Sequence, residues 1–248
     1  MKTIIFNNFK KFKSLYLGIS GGVDSALGFY LIAKHISENN LDTKLTIITA
    51  VEPQPLWNRN DKNVLKITSI IKNIFPNVNI QKNIINFLEG YNRQNRNKFP
   101  KVKKMRTMHR HIISNGDYDL GITFQSSFPK LNELKQNEDL YKSSLSVGPE
   151  DRTYTGNKID TIRPDNAFRN KFGVNCNWWQ PFLNFTKKDF AELYKQHNLM
   201  DSIFPYTASC TADSSLTNNF TKACQKCFWC KEKYWAFSMF DYPQAFNL

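Results

Sequence analysis

The chain lacks the features that would direct it to a membrane or into a secretory pathway. No apolar run within its 248 residues approaches the roughly 20 residues that a membrane-spanning helix needs. The segment Met1–Asn8 has neither a convincing apolar core nor the cleavage site of a signal peptide. Internal repeats and low-complexity tails are also missing. We therefore expect a cytoplasmic protein without a membrane partner.

Acidic residues are few compared with basic ones. The sequence has 21 Asp and Glu against 34 Lys and Arg, which gives a formal net charge of +13. Such a surplus suits a polyanionic partner such as tRNA, and it also helps to collect ATP. The densest basic segment runs from Arg93 to Arg110 without an acidic residue. Because no recognised RNA-binding module accompanies it, direct nucleic-acid binding stays an alternative that we do not favour.

Apolar β-type segments alternate with segments of helical periodicity along the chain. The predicted strands cover 15–19, 44–51, 80–85 and 119–124, and the predicted helices cover 26–33, 64–75, 101–114 and 190–197. This alternation predicts an α/β fold, with a Rossmann-like parallel sheet and helices on both of its faces. Ligands of such sheets bind at the carboxyl ends of the strands.

The hexapeptide Ser20–Ser25 links the first predicted strand to the first predicted helix. Its sequence is Ser-Gly-Gly-Val-Asp-Ser, and the two glycines let the backbone approach a ligand closely. The N–H groups of the turn and the dipole of the following helix favour an anion. Asp24 would repel a bare phosphate, so we expect a bridging Mg²⁺. The alternative is a tight turn with a Ser or Asp helix cap.

Four of the five cysteines crowd into the C-terminal quarter of the chain. They are Cys210, Cys224, Cys227 and Cys230, spaced C-x13-C-x2-C-x2-C. Four thiolates form the usual closed structural zinc site. A CxxCxxC run also begins a ferredoxin-type iron–sulfur motif, and inert buried thiols are a third interpretation. We favour zinc, and we interpret Cys176 as a small packed residue.

The segment 128–173 has weak periodicity and many polar residues. A stretch of this length without clear structure is typical of an active-site lid, a binding loop or a disordered segment, and of these we predict a substrate-facing insertion. After it, Thr186 and Asp189 have the spacing of a helix-capping box. We divide the chain into a nucleotide-binding domain over 1–205, which carries this insertion, and a small helical segment over 206–248 that binds zinc through the four cysteines.

Two parts of the chain resemble known families. The loop Ser20–Ser25 resembles the signature of the PP-loop ATP pyrophosphatases, which cleave ATP between the α and β phosphates. No GxxxxGK[ST] loop, which would indicate a different nucleotide chemistry, occurs in the sequence. The segment from Trp178 to Phe237, with Pro181-Phe182-Leu183 and the Cys224–Cys230 run, is similar to the 7-cyano-7-deazaguanine synthases. In that family the C-terminal cysteines bind zinc.

The resemblance implies a role for particular residues. The residues implied in binding ATP are Ser20, Gly21, Gly22, Val23, Asp24, Ser25, Thr49 and Ala50. The residues implied in catalysis are Asp24 as the Mg²⁺ ligand, Lys187 as a phosphate-directed lysine and Arg106 as a countercharge. The residues implied in binding zinc are Cys210, Cys224, Cys227 and Cys230. The zinc would shape the substrate wall without taking part in bond making, because four thiolates leave no open position.

The implied reaction activates the carboxylate of 7-carboxy-7-deazaguanine as an AMP ester. Ammonia then displaces AMP to give an amide, and a second activation, of the amide oxygen, expels another AMP and gives the nitrile preQ0, a precursor of queuosine. Each activation releases pyrophosphate. The deazapurine would lie near Thr123–Ser127 and stack on an aromatic residue such as Phe124, Trp178 or Phe228. The alternatives are a PP-loop ligase acting on another small carboxylate, a PP-loop tRNA-modifying enzyme and a non-catalytic nucleotide-binding zinc scaffold. A homodimer is left open.

Overall fold

The structure is a computed structural model, and it describes residues 4, 6, 9–51, 60–86, 118–127, 129–145, 163–164, 177–210, 212 and 215–246. The strands in this part are β1 (Ser14–Gly18), β2 (Lys44–Val51), β3 (Ile80–Asn86), β4 (Leu120–Thr123), β5 (Arg163–Pro164) and β6 (Asn177–Trp179). The helices are α1 (Val23–Glu38), α2 (Asn60–Ile74), α3 (Leu131–Lys135), α4 (Glu138–Ser144), α5 (Lys187–Gln196) and α6 (Phe228–Phe237). Short 3-10 turns cover Phe9–Lys11, Phe204–Tyr206 and Pro243–Ala245.

The described strands form one sheet in the order β3-β2-β1-β4-β6-β5. Every neighbouring pair is parallel except β5 and β6, which run antiparallel at one edge. Leu15, Tyr16 and Leu17 of the central strand β1 are all fully buried, so both faces of the sheet are covered at this point. Apolar runs buried on two faces are typical of parallel sheets. The predicted α/β fold with a parallel sheet is confirmed.

Helix α1 lies against the sheet and contacts both α2 and α5. It begins at Val23, directly inside the hexapeptide, which is three residues earlier than the predicted start at Ala26. Thr186 and Asp189 form the predicted capping box at the start of α5, with Thr186 N donating to Asp189 Oδ2 over 2.7 Å. The predicted helix over 101–114 lies outside the described residues. Within the part of the chain that the structure describes, no helix combines the length and the apolar character needed to cross a bilayer.

The described part of the 128–173 segment packs on the cysteine segment. Leu134 of α3 and Leu140 of α4 form a buried apolar cluster with Phe228 of α6. Phe237, at the other end of α6, packs against Phe204 with ring centroids 4.7 Å apart and belongs to the main core. Helix α6 therefore joins the segment to the rest of the molecule, while the proposed division at residue 205 stays a prediction.

Candidate nucleotide site and metal centre

The loop between β1 and α1 is braced by its own hydroxyl groups. Ser20 N donates to Ser25 Oγ over 3.1 Å, and Gly22 N donates to Ser20 Oγ over 3.3 Å. Gly21 has a φ of 77°, in the left-handed region that glycine adopts without a Cβ penalty. The N-cap of α1 is Gly22, and no side chain caps the helix. This geometry differs from the Ser or Asp cap of the alternative interpretation, and it leaves a helix N-terminus that suits an anion.

Asp24 and Lys187 meet beside this loop, 163 positions apart in the sequence. Asp24 Oδ1 forms an ion pair with Lys187 Nζ, and Asp24 Oδ2 accepts a hydrogen bond from Ser126 N over 3.2 Å. The side chains of Lys187 and Asp24 are 8% and 16% exposed, so each charge offsets the burial of the other. Both carboxylate oxygens of Asp24 thus have protein partners, and its predicted role as a Mg²⁺ ligand stays a prediction.

Three buried hydroxyl groups lie at the carboxyl ends of the strands next to β1. Thr49 near the end of β2, Thr123 at the end of β4 and Ser126 just beyond it are all nearly inaccessible to solvent. Among the described residues, their hydroxyl oxygens have no hydrogen-bond partner. A buried hydroxyl without a partner costs about 1–3 kcal/mol. These three hydroxyl groups, at the carboxyl ends of the strands, are therefore able to form hydrogen bonds with a ligand.

Burial of a hydroxyl group without a partner does not by itself identify a site, since Thr46 in the middle of β2 has the same property. The position at the ligand-binding edge of the sheet is what distinguishes Thr49. Of the other predicted site residues, Ala50 lies in β2 with its side chain undescribed, and Arg106 lies outside the described residues.

The four predicted metal ligands come together in space. The sulfur atoms of Cys210, Cys224, Cys227 and Cys230 all lie within 4.8 Å of one another. Four thiolates placed about 2.3 Å from one zinc ion in a tetrahedron would be about 3.8 Å apart. Cys224 Sγ and Cys230 Sγ are separated by 3.9 Å, which fits that geometry. This four-cysteine cluster is able to bind a metal ion.

Backbone N–H groups donate hydrogen bonds to two of the sulfur atoms, and such bonds stabilise the thiolate form of a cysteine. Cys224 N donates to Cys210 Sγ over 3.3 Å, while Lys226 N and Cys227 N donate to Cys224 Sγ over 3.4 and 3.3 Å. Gln225 has a φ of 58°, which lets the chain turn its N–H groups inward. The hydrogen bond with Cys227 raises the pKa of the Cys210 thiol to about 12. Crowded thiols resist ionisation unless a cation compensates the charge.

A buried ion pair that motif spacing did not predict lies next to this cluster. Lys233 is fully buried and donates to Thr207 O, Thr207 Oγ1 and Asp241 Oδ1 over 3.0, 3.0 and 2.7 Å. Asp241 Oδ2 in turn accepts from the backbone N–H groups of Ser209 and Cys210, both over 2.9 Å. Burial lowers the pKa of Lys233, and the charge of Asp241 opposes that shift. No sequence signal distinguishes these two residues from surface charges.

Comparisons with known proteins add two likenesses. No family model and no curated protein matches the chain. It is similar to the U34-tRNA thiolase NcsA from Methanococcus maripaludis with its [4Fe-4S] cluster, at 12% identity and a TM-score of 0.44, over 75% of this chain and 57% of that one. It is also similar to a 4-thiouridine synthetase in an RNA complex with bound ATP, at 14% identity and a TM-score of 0.35, over 91% of this chain and 53% of that one.

The chain spans just over half the length of each of these two solved structures. At such TM-scores neither likeness supports an inference about this chain. The interpretation of the site therefore depends on its own geometry: an uncapped helix N-terminus beside the Asp24–Lys187 pair, buried hydroxyls at the same sheet edge, and a four-cysteine cluster.

Proposed function

We propose that this chain is an ATP-dependent, AMP-forming enzyme of the PP-loop type. The observation that carries the proposal is the uncapped N-terminus of α1, which begins within the Ser20–Ser25 loop. Backbone N–H groups and the helix dipole favour an anion there, and the ammonium of Lys187 lies against the same loop. Cleavage between the α and β phosphates is what the resemblance of the loop to the PP-loop signature implies, and no Walker A loop occurs in the sequence.

Charge stabilisation is the main chemical task that these residues would perform. The loop N–H groups would hold the pyrophosphate as it leaves, and Lys187 would offset the charge that develops on it. A carboxylate such as Asp24 is a suitable Mg²⁺ ligand, and the bound ion would supply further neutralisation of phosphate charge. Lys187 already pairs with one oxygen of Asp24, and since an ammonium and Mg²⁺ repel each other, Lys187 would move from Asp24 towards a phosphate oxygen when the ion binds.

We propose a carboxylate-bearing 7-deazapurine as the acceptor substrate, with ammonia as the nitrogen donor. The support is the resemblance of the cysteine segment to the 7-cyano-7-deazaguanine synthases. In addition, the hydroxyl groups of Thr123 and Ser126, which have no partner among the described residues, could hydrogen-bond a substrate at the carboxyl ends of the strands. Phe228 is only 2% exposed and packs on α3 and α4, so the expectation that it stacks on the substrate is wrong. Phe124 is partly exposed and keeps that role in the proposal.

A tRNA-modifying PP-loop enzyme is the second candidate, and the net charge of +13 favours it. The two candidates differ in their dependence on salt. Binding to tRNA releases counterions, so its affinity falls steeply as the salt concentration rises, whereas turnover of a small deazapurine depends on salt much less.

We propose zinc as the metal of the cysteine cluster. In a cubane iron–sulfur cluster each thiolate binds a different iron atom, and the inorganic core separates the thiolates. A single zinc ion instead draws all four sulfurs to one centre. The maximum separation of 4.8 Å between the cysteine sulfurs supports the single ion.

The proposed function is tested by product analysis. The protein is incubated with ATP, Mg²⁺, ammonia and 7-carboxy-7-deazaguanine, and nucleotides and deazapurines are measured by chromatography and mass spectrometry. We expect AMP, pyrophosphate and an amide or nitrile. The variant Asp24→Asn should lose this activity, while Asp42→Asn, a change at a fully exposed position, should keep it. ADP as the main product would contradict the PP-loop proposal, and AMP release without a modified deazapurine would contradict only the substrate.

A further inference from the structure

We infer that the cysteine centre controls the nucleotide affinity of the Ser20–Ser25 loop through residues Thr207–Cys210, here called the strap, which Lys233 and Asp241 hold in place. This inference rests on the proposed function, because it takes the loop to bind ATP and the cysteines to bind a metal ion. It adds a regulatory link between two sites that otherwise look independent.

One end of the strap contacts the nucleotide loop. Ala208 N donates to Gly21 O over 3.0 Å. A Cβ atom on Gly22 would lie 3.5 Å from Ala208 O, which places the strap in van der Waals range of the loop. Gly21 is the residue with the left-handed conformation on which the shape of the turn depends. The strap therefore contacts the loop at its most specialised backbone position.

The other end of the strap is a metal ligand. Cys210 follows Ala208 by two residues, and its sulfur accepts a hydrogen bond from Cys224 N over 3.3 Å. Asp241 Oδ2 accepts from Ser209 N and Cys210 N, both over 2.9 Å, so one carboxylate oxygen fixes two successive peptide units of the strap. The path from the cysteine cluster to the loop thus consists of three residues and one hydrogen bond.

Lys233 makes the strap rigid. It is fully buried on α6, and it binds both oxygen atoms of Thr207 as well as Asp241 Oδ1. Any displacement of Thr207 or Asp241 would leave the Lys233 ammonium without one of its three acceptors and still buried away from water, which is unfavourable. The Phe204 ring, centred 4.3 Å from Lys233 Nζ, closes the remaining side. The strap is consequently unable to adjust freely when one of its ends moves.

A bound metal ion holds Cys210 at the cluster and thereby keeps Ala208 against Gly21. When the ion is removed, only hydrogen bonds hold the Cys210 side chain at the cluster, and because the strap is rigid, any displacement of Cys210 is passed on to Ala208. Coupling between two sites is reciprocal in binding, so nucleotide must raise metal affinity by the factor by which metal raises nucleotide affinity. Couplings of this kind are typically about 5- to 150-fold.

The experiment measures equilibrium binding rather than turnover. Zinc-loaded protein is titrated with a chromophoric chelator with and without saturating ATP, and ATP affinity is measured by calorimetry before and after stripping. We expect ATP to raise the apparent zinc affinity, and metal loss to weaken ATP binding, each by at least about 5-fold. The chelator titration starts from loaded, folded protein, so it remains decisive if the stripped protein unfolds.

Two Asp→Asn variants separate the strap from general destabilisation. Asp241→Asn cannot accept both backbone N–H groups and pair with Lys233, so ATP should no longer change its zinc affinity. Asp139→Asn, at a position with an 86% exposed side chain that contacts α6 from outside, should keep the full coupling. Equal zinc affinity with and without ATP in the wild-type protein overturns the inference, as does undiminished coupling in Asp241→Asn. If the loaded wild type binds no ATP at all, the proposed function fails and the inference fails with it.

Discussion

At the scale of single residues, the burial of charge distinguishes the site from the rest of the surface. Three Lys–carboxylate pairs of the described residues, Lys195–Glu192 among them, have both side chains more than half exposed. Pairs of this kind contribute little, about 0–1 kcal/mol. Lys187–Asp24 and Lys233–Asp241 are instead largely removed from water, and each is tied to the backbone of another segment. Their geometry is therefore constrained far more strongly than that of the surface pairs.

The Lys187–Asp24 pair predicts a strongly non-additive mutant cycle. Lys187→Met leaves the carboxylate of Asp24 buried without a countercharge, so the free energy of unfolding should fall by about 3–5 kcal/mol. Adding Asp24→Asn removes the uncompensated charge and should restore much of that stability, while activity stays lost. Urea unfolding and AMP release measure the two effects. Lys195→Met is the control and should change stability by less than about 1 kcal/mol. Additive losses in the double variant would contradict the prediction.

A substitution at Thr49 should change the stability of the protein and its nucleotide affinity in opposite directions. Thr49→Val removes a buried hydroxyl that lacks a partner among the described residues, so the empty protein should gain about 1 kcal/mol of stability. Nucleotide affinity should fall by about tenfold, because the ligand loses one hydrogen bond. Thr46→Val on the same strand is the matched control, and it should stabilise the protein without changing nucleotide affinity. Unchanged affinity in Thr49→Val would remove this residue from the site.

Residues within motifs could be predicted from the sequence, whereas the residues that support them could not. The hexapeptide and the cysteine run depend on short spacings that the sequence displays directly, and their members do meet. Lys187 was found through the resemblance. Lys233 and Asp241 acquire their role only because the chain turns back beyond α6, where the 3-10 turn Pro243–Ala245 packs against Phe204–Tyr206. No local pattern encodes that contact.

At the scale of secondary-structure elements, α1 owes its position to a glycine in its interior. An ideal Cβ on Gly28 would lie 2.0 Å from the ring of Phe124, so only glycine lets the segment after β4 approach the helix this closely. Phe124 is followed closely by Ser126, whose N–H binds Asp24. The contact between α1 and this segment therefore supports the geometry of the candidate nucleotide site.

Replacement of Gly28 by alanine should destabilise the protein, although alanine has the higher helix propensity. Alanine is better than glycine in a helix by about 1 kcal/mol, yet Gly28→Ala should lower stability by about 1–3 kcal/mol because its methyl group collides with Phe124. Thermal unfolding and ATP affinity should both decline. The double variant Gly28→Ala/Phe124→Leu should recover part of the stability. A more stable Gly28→Ala variant would show that the ring moves aside freely.

Elements were predicted more reliably than their edges. The four strands predicted from apolar runs correspond to β1–β4, because buried parallel strands are continuous apolar segments. Strands β5 and β6 have only two and three residues, too few for any periodicity to appear. The predicted start of α1 at Ala26 is three residues too late, because Val23, Asp24 and Ser25 belong both to the loop motif and to the first turn of the helix.

At the scale of the whole molecule, the cysteine cluster is the point at which several segments meet. The strap, the turn around Gln225 and helix α6 all supply ligands or donors to it. Helix α6 also contacts α5, which carries Lys187, and α4 of the 128–173 segment. Loss of the metal should for this reason affect the stability of the molecule beyond the cluster itself.

Removal of the metal is expected to lower the stability of the whole molecule, since metal binding to cysteines is linked to folding. Purified protein should be colourless and contain one zinc per chain by elemental analysis. Chelation, or the variant Cys227→Ser, should lower the melting temperature by several degrees, because even about 1 kcal/mol shifts the midpoint of a domain of this size by about 2–4 °C. Cys176→Ser is the control and should retain zinc, because Cys176 is predicted to be a packed residue and not a metal ligand. A brown protein that contains iron and acid-labile sulfide would overturn the zinc assignment, because it would show that the cysteines hold an iron–sulfur cluster.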